Sequence, residues 1–477
     1  MLYDVVIIGG GIVGTSIARE LSRYNLRIAL LEKETELAFG VSKSNSGIIH
    51  PGTQNPPGSL KGCLCVQGNT LMRKLSKELG FDFKEVGELI VAFTEEEIAR
   101  LRQLKKEAEA LGVPRTRIVD GRWLKAHEPN LSGKALVALY APTAGIVSPY
   151  RVAYDLAENA GRNGVEIRTH TRVEGIAPAG LFQFEVATSS GIFKTRYLIN
   201  SAGLHADDVA RMAGIDDFTV RPRKGEEFLL DKKRHYLTNH VIFPLPTKIS
   251  KGVLVIKTSD GNPMIGPTAE DISDKEDLST SDAGLAKVLT EARKLVPSID
   301  ENDIIAYFAG LRPVAGDDFI IRHEDKVPGL VTVAGIQSPG LTSAPAIALM
   351  VAGILKKKGL ALKKKLLFHK KRKHAIHLFE IPLSRTKKLI KKDAGYGEIV
   401  CRCEMVSAKE VRDAICHGAK TMDGIKFRTR AQAGRCHGSF CTTRIMKILA
   451  EETKKQVTEV TKRGRGSELV KEDRANG

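Results

Sequence analysis

The chain has 477 residues, 42% hydrophobic and 27% charged. That length suits two or three folded domains, and the composition is that of a soluble globular protein, not a disordered or fibrous one. The formal net charge is +18, but the excess is local: residues 356–392 hold fifteen Lys or Arg against a single acid, Glu380. Such a stripe reads as a solvated linker or as a contact for an anionic partner or membrane surface, and it argues against a chain that binds nucleic acid along its whole length. No basic region precedes the first apolar run, and no apolar run reaches the ~20 residues of a membrane span. The expected location is cytoplasmic, with peripheral attachment at the cytoplasmic membrane as its variant.

Near the N-terminus, Val5-Val6-Ile7-Ile8 is a continuous apolar run, as in a parallel strand covered on both faces. Gly9-x-Gly11-x-x-Gly14 follows it. Gly9 suits a tight turn, Gly11 lets backbone approach a pyrophosphate, and Gly14 lets the next helix pack close to the strand. Residues 15–23 read as that helix, with Ile17, Ala18 and Leu21 on its inner face. Ile28-Ala29-Leu30-Leu31 is the second strand, and Glu32 at its end is placed to accept from a ribose hydroxyl. The motif marks a dinucleotide site without separating NAD from FAD. Next comes a Ser/Gly-rich loop, Ser44-Asn45-Ser46-Gly47-Ile48-Ile49-His50-Pro51-Gly52.

Residues 95–110 read as a charged helix, and residues 225–230, 241–243 and 252–257 as strands. After the basic stripe come Cys401-x-Cys403 and Cys436-x4-Cys441, with helices expected over 408–415 and from about Thr443. Four thiols in two close pairs suit an all-cysteine [2Fe–2S] cluster. Structural zinc is the competing reading, although zinc sites prefer two residues between paired cysteines. An empty site is the third. Cys416 is expected to pack in the core of its helix. Residues 454–477 lack apolar periodicity and are expected to be disordered.

Several segments, in order, resemble the D-amino-acid-oxidase-like flavoprotein superfamily over roughly residues 1–355. The loop from Ser44 to His50 resembles the stretch beside the flavin ring. Leu198-Ile199-Asn200-Ser201-Ala202-Gly203 resembles a strand-and-glycine segment near the dinucleotide. Gly310-Leu311-Arg312-Pro313 resembles the substrate-arginine segment. Val333-Ala334-Gly335 and Ser338-Pro339-Gly340-Leu341-Thr342 resemble the last strand and the helix start that approaches the flavin. Within the superfamily the resemblance is to L-2-hydroxyglutarate dehydrogenases and anaerobic glycerol-3-phosphate dehydrogenase large subunits. The run from Asn45 to His50, Arg223-Lys224-Gly225-Glu226 and Ile265-Gly266-Pro267 look more like the hydroxyglutarate branch. The C-terminal cysteine region resembles the bacterioferritin-associated-ferredoxin-like [2Fe–2S] domain of the glycerol-3-phosphate branch, including Arg428-Thr429-Arg430 before the second pair. One departure stands out: Gly335-Ile336-Gln337 lies where glycerol-3-phosphate dehydrogenases carry Gly-Gly-Lys, so a phosphate-binding lysine is missing there.

The resemblance implies an α/β fold. It comprises a discontinuous Rossmann-like FAD-binding domain (1–85, 145–215, 330–358), an antiparallel-sheet substrate domain (86–144, 216–329), a basic linker (359–395) and a small helical [2Fe–2S] domain (396–453). It implies FAD held by Gly9, Gly11, Gly14, Glu32, Ser44, Asn45, Ser46, Gly47, Ala202, Gly203, Gly335, Gly340, Leu341 and Thr342. Cys401, Cys403, Cys436 and Cys441 would hold the cluster. Cys63 and Cys65 fall on a family helix over 60–75, where side chains two apart do not face each other, and read as buried structural thiols.

The implied reaction is oxidation of a small anionic hydroxy substrate. His50 is the expected base, because its ordinary pKa lies near working pH. Arg312 is the expected anion anchor, because a guanidinium can grip a carboxylate or phosphate with two hydrogen bonds. Lys224 and Lys257 are weaker candidates for a second substrate charge. Glycerol 3-phosphate is the leading substrate and L-2-hydroxyglutarate the alternative; a non-catalytic electron-transfer subunit is the reading from another class. Electrons would pass from flavin through the cluster to an acceptor protein subunit or quinone-linked partner, within an oligomer or hetero-complex.

Overall fold

The computed structural model describes residues 1–180, 183–247, 251–372 and 375–471. The chain forms two compact units, Met1–Leu31 with Ala38–Arg372, and Glu32–Leu37 with Lys373–Gly477.

In the first unit the N-terminal strand β1 (Leu2–Ile8), helix α1 (Ile12–Leu21) and strand β2 (Ile28–Leu31) form the expected strand–turn–helix–strand. β1 is central, parallel to β2 on one side and to Gly191–Asn200 on the other. Glu166–Arg168 extends the parallel sheet beyond β2, and Leu330–Ala334 joins it alongside Gly191–Asn200. β1 and β2 are apolar almost throughout because helices cover them. Ile17, Ala18 and Leu21 of α1 are fully buried. Gly14 is required by contact: a Cβ there would lie 1.9 Å from the carbonyl oxygen of Gly9, so only glycine lets α1 start this close to the strand end.

A second sheet of nine strands is mostly antiparallel, with one parallel pairing between Val241–Phe243 and Glu88–Ala92. Its long hairpin-like pair, Arg221–Leu230 against Ile304–Val314, sets Arg223 opposite Arg312 and Gly225 opposite Gly310. The helix Gly340–Lys357 is long and apolar because it is a core helix, with Ala344, Ile347, Ala348, Val351 and Leu355 buried. It packs on α1 and on helix α2 (Leu60–Leu79).

The basic stripe divides between the units, whose boundary falls between Arg372 and Lys373. Residues 360–372 lie against the first unit: the Asn25 N–H donates to Lys363 O at 2.8 Å, and Arg372 pairs with Asp155 at 3.1 Å.

The second unit is built on a short hairpin, Ile399–Cys401 with Val406–Ser407, and the helices Ala408–Cys416, Met422–Thr429 and Thr442–Thr453. Ser407 and Glu410 cap the first of these reciprocally. Two expectations are corrected here. Cys416 is exposed at the helix end, not packed in its core. Residues 454–471, expected to be disordered, fold back: Val460 is buried, Thr461 bridges Glu468, and Lys462 and Arg463 pair with Asp423 at 2.8 and 3.3 Å. One buried valine and two ion pairs hold a stretch that has no helical or strand period to read. Residues 472–477 lie outside the described residues.

Candidate active site and cofactor sites

The dinucleotide turn has the expected local form. Gly11 caps α1, whose first N–H groups have no partners inside the helix; that of Ile12 donates to Ser42 Oγ at 2.9 Å. Opposite, Ser201 closes on β1, its hydroxyl donating to Ile8 O at 2.8 Å, and the Ala202 N–H donates to Asn200 at 3.3 Å. Gly203 and Gly335 both take positive φ at strand ends. Glu32 follows β2 directly, nearly buried, and accepts from the Glu34 N–H at 2.9 Å. A Cβ on Gly11 would lie 3.1 Å from Ser42 Oγ, so this turn is a backbone cradle that side chains would fill. It fits a pyrophosphate.

The loop after β2 is held by its own polar groups. Asn45 donates to Ser42 O at 2.8 Å and accepts from the Gly47 N–H at 2.9 Å. Ser46 Oγ donates to Glu227 Oε1 at 3.0 Å. Ser44 lies against Gly310, where a Cβ would come 2.3 Å from the Ser44 carbonyl oxygen. His50 is 9% exposed. Its N–H donates to Thr342 Oγ1 at 2.9 Å, which ties it to the start of Gly340–Lys357, two residues beyond Gly340 and one beyond Leu341. Its carbonyl accepts from Asn69 on α2 at 3.0 Å. Its Nε2 lies 3.5 Å from Ser338 Oγ, and its Nδ1 lies 3.9 Å from Glu88 Oε2.

Glu88 is a site residue that the sequence did not reveal. It is fully buried; its Oε1 accepts from Thr53, and its Oε2 has no hydrogen-bond donor among the described residues. Burial pushes its carboxyl up to about 7, against the opposing pull of Thr53 and Lys251. Glu227 is a second such group. Burial raises it to about 7 while Ser46 and Arg312 favour its charged form, and its Oε2 also lacks a donor among the described residues. Burial and the charge of Lys251 hold His50 well below 6.5, so its imidazole is neutral at neutral pH.

Arg312 donates from Nη1 and Nη2 to the single carbonyl of Thr268, at 3.2 and 3.1 Å, and feels the charge of Glu227. Its guanidinium lies over Gly225, where a Cβ would come 2.6 Å from Nη2. Lys251 supplies a second cation that sequence reasoning missed: burial lowers its pKa, and its neighbours in charge are Cys65, Glu88, Lys61 and Arg312. The two lysines singled out earlier have neighbours of their own. Lys224 pairs with Asp277 at 2.9 Å, and Lys257 lies beside Lys84. Of the Cys63/Cys65 pair, Cys65 is buried, with its thiol pushed up to about 12 by burial, but Cys63 is exposed because the face of α2 turns outward there.

In the second unit the four cysteines meet as pairs. Cys403 and Cys436 Sγ are 3.5 Å apart, and Cys401 hydrogen-bonds Cys441, which lowers its thiol to about 6. Cys401 and Cys441 are buried and Cys403 is exposed. A thiol-only set in two pairs fits a [2Fe–2S] cluster better than zinc. Arg430 pairs with Glu404 at 3.2 Å beside them, and Arg428 pairs with Glu36 at 3.0 Å.

A parallel-sheet dinucleotide cradle, a buried histidine with two partly buried cations in its lobe and a four-thiol site define a flavin- and iron–sulfur-dependent oxidoreductase. Residues 4–354 match DAO, the FAD dependent oxidoreductase family, and the chain belongs to it; residues 399–451 match the BFD-like [2Fe-2S] binding domain. The chain is 42% identical over 472 residues to a glycerol 3-phosphate dehydrogenase of Caloramator mitchellensis, covering 98% of each. It is 32% identical to an L-2-hydroxyglutarate dehydrogenase of Salmonella houtenae, over 72% of this chain and 90% of the other. The dithionite-reduced, FAD-bound L-alpha-glycerophosphate oxidase of Mycoplasma pneumoniae superposes with a TM-score of 0.74 at 32% identity, covering 78% of this chain and 98% of that one. The protein therefore uses FAD and a [2Fe–2S] cluster.

Proposed function

We propose that the protein is a dehydrogenase that oxidises sn-glycerol 3-phosphate to dihydroxyacetone phosphate. The observation that carries this reading is a pair of partly buried cations: Lys251, whose charge reaches a neutral, buried His50, and Arg312, whose charge reaches Lys251. Two neighbouring cations favour an anion that both can contact, and a phosphate dianion answers both charges. Lys251 also supplies a lysine that Gln337 does not. Full-length similarity to a glycerol 3-phosphate dehydrogenase supports the substrate.

Arg312 and Lys251 fix the phosphate and so set the carbinol carbon. His50, held neutral, accepts the hydroxyl proton at Nε2, and the Glu88 carboxylate facing Nδ1 stabilises the imidazolium that results. Bound FAD supplies the two-electron acceptor for the hydride. The cluster domain favours a dehydrogenase over an oxidase, with electrons leaving to an acceptor protein subunit or quinone-linked partner. We place the enzyme in the cytoplasm, in peripheral contact with the cytoplasmic membrane and in an oligomer or hetero-complex.

L-2-hydroxyglutarate is the second reading, favoured by its dicarboxylate charge and by relatives such as that of Salmonella houtenae. Anaerobic flavin reduction by each compound separates the two. Reduction by neither would favour the non-catalytic electron-transfer subunit.

A further inference from the structure

The basic stripe contains a structured element that the reaction does not use. Residues 360–372 form a strap pinned at both ends. At its start Leu360 is buried, Lys364 bridges Tyr24, and the Lys365 N–H donates to Arg23 O at 2.9 Å. At its end the His369 N–H donates to Asn163 at 2.8 Å, and Arg372 pairs with Asp155 at 3.1 Å and Glu158 at 2.5 Å. Phe368 turns inward, under the guanidinium groups of Arg19 and Arg23 at 5.8 and 5.1 Å.

Between the pins the chain does the opposite. Leu366 is 107% exposed and Leu367 72% exposed. Two adjacent large apolar side chains held in water by a pinned backbone are unfavourable for a protein that stays in solution. Lys363, Lys364 and Lys371 flank them, exposed and with no ion-pair partner among the described residues. The acids under the strap are already engaged: Glu20 by Arg23 at 2.9 Å, Glu78 by Arg19 at 2.6 Å, and Asp155 and Glu158 by Arg372. The outward face is therefore an apolar tip ringed by free positive charge.

We propose that this strap docks the protein on an anionic lipid surface, with Leu366 and Leu367 inserted among the acyl chains and Lys363, Lys364 and Lys371 at the headgroups. The charge pattern selects this occupant, because a bilayer of acidic lipids presents anionic groups around an apolar interior. An acidic protein offers the charge but has no need of two protruding leucines. Each signal is weak alone, and an apolar insertion combined with a basic patch gives stable yet reversible attachment. The inference rests on the peripheral-membrane reading above and adds the element that does the docking; it is independent of the substrate.

The test is co-sedimentation of the FAD-loaded, full-length protein with vesicles of phosphatidylcholine, with and without phosphatidylglycerol. The parent should bind the phosphatidylglycerol vesicles and be released by high salt. The double variant Leu366→Asp/Leu367→Asp should bind at least about tenfold more weakly. Lys363→Gln/Lys364→Gln/Lys371→Gln should bind about 100-fold more weakly, at about fivefold per lysine near an anionic surface. Both variants should keep FAD and the parent rate of flavin reduction, because every changed side chain is exposed. If the parent ignores anionic vesicles, both the peripheral reading and the strap fail. If the parent binds and the leucine variant binds equally, the strap is wrong and the peripheral reading stands. Equal binding to phosphatidylcholine alone overturns the anionic recognition.

Discussion

Glu88→Gln is the perturbation whose outcome follows most directly from the buried site. Glu88 is fully buried, and burial raises its carboxyl from the ordinary 4.5 to about 7. A raised carboxyl pKa means that the folded protein holds a proton the unfolded chain has lost. The associated stability is fully present below 4.5 and disappears as pH rises through about 7. A rise of this size corresponds to roughly 3 kcal/mol. Glutamine keeps the shape and the Thr53 contact but cannot ionise. The unfolding free energy of the variant relative to the parent should therefore move by roughly 2 to 3 kcal/mol in its favour between about pH 5 and about pH 8. Catalysis should move the other way. A carboxylate 3.9 Å from Nδ1 stabilises a full imidazolium by roughly 4 kcal/mol at an effective dielectric constant of about 20. With about half that charge formed in the transition state, kcat/KM at about pH 8 should fall roughly 30-fold. At about pH 6, where Glu88 is protonated, parent and variant should converge. The assays are denaturant unfolding and anaerobic flavin reduction across that range. Parallel stability curves with an unchanged rate ratio would refute the placement of Glu88 as an ionising partner of His50.

Other substitutions probe the remaining parts. Arg312→Ala should lower kcat/KM about 100-fold or more with FAD retained, because a buried anion loses its partner, and Arg312→Lys should restore only part of this; both are read by anaerobic flavin reduction. Gly11→Val should expel FAD from an otherwise folded protein by filling the cradle, as seen in the absorbance of the purified protein. Cys401→Ser should abolish the [2Fe–2S] cluster, measured as iron and acid-labile sulfide, yet leave flavin reduction by substrate intact; Cys416→Ser, at an exposed position, should change neither.

The parts legible in the sequence are those whose chemistry forces a residue type at a fixed spacing. Gly9 and Gly14 are glycine because backbone sits where a Cβ would go, and two close cysteine pairs in one short domain suit thiolate ligation of a cluster. Arg312 was visible through its flanking Gly310 and Pro313. Glu88 and Lys251 were not. Glu88 opens a strand where an acid normally reads as solvent-facing; it is buried because Val241–Phe243, over 150 residues later, pairs alongside it. Lys251 sits in a connection before the strand Leu254–Lys257 and looks like any surface lysine until the fold brings it to Glu88 and Cys65. Lys224 shows the converse: its motif position suggested substrate, but Asp277, distant in sequence, takes its charge. In the second unit Glu36 has no local signal, yet it accepts from the Lys420 N–H at 2.9 Å and pairs with Arg428. Long-range pairing places all four, and no spacing rule along the chain reports it.

The central claim is that paired cations at Arg312 and Lys251 take a phosphate and that His50 removes the proton of the neighbouring hydroxyl. The most direct measurement is anaerobic stopped-flow absorbance of the FAD-loaded protein mixed separately with sn-glycerol 3-phosphate and L-2-hydroxyglutarate. Rapid bleaching of the flavin by glycerol 3-phosphate, with dihydroxyacetone phosphate as product, is the predicted result. Bleaching by L-2-hydroxyglutarate alone, or by neither compound, would contradict it.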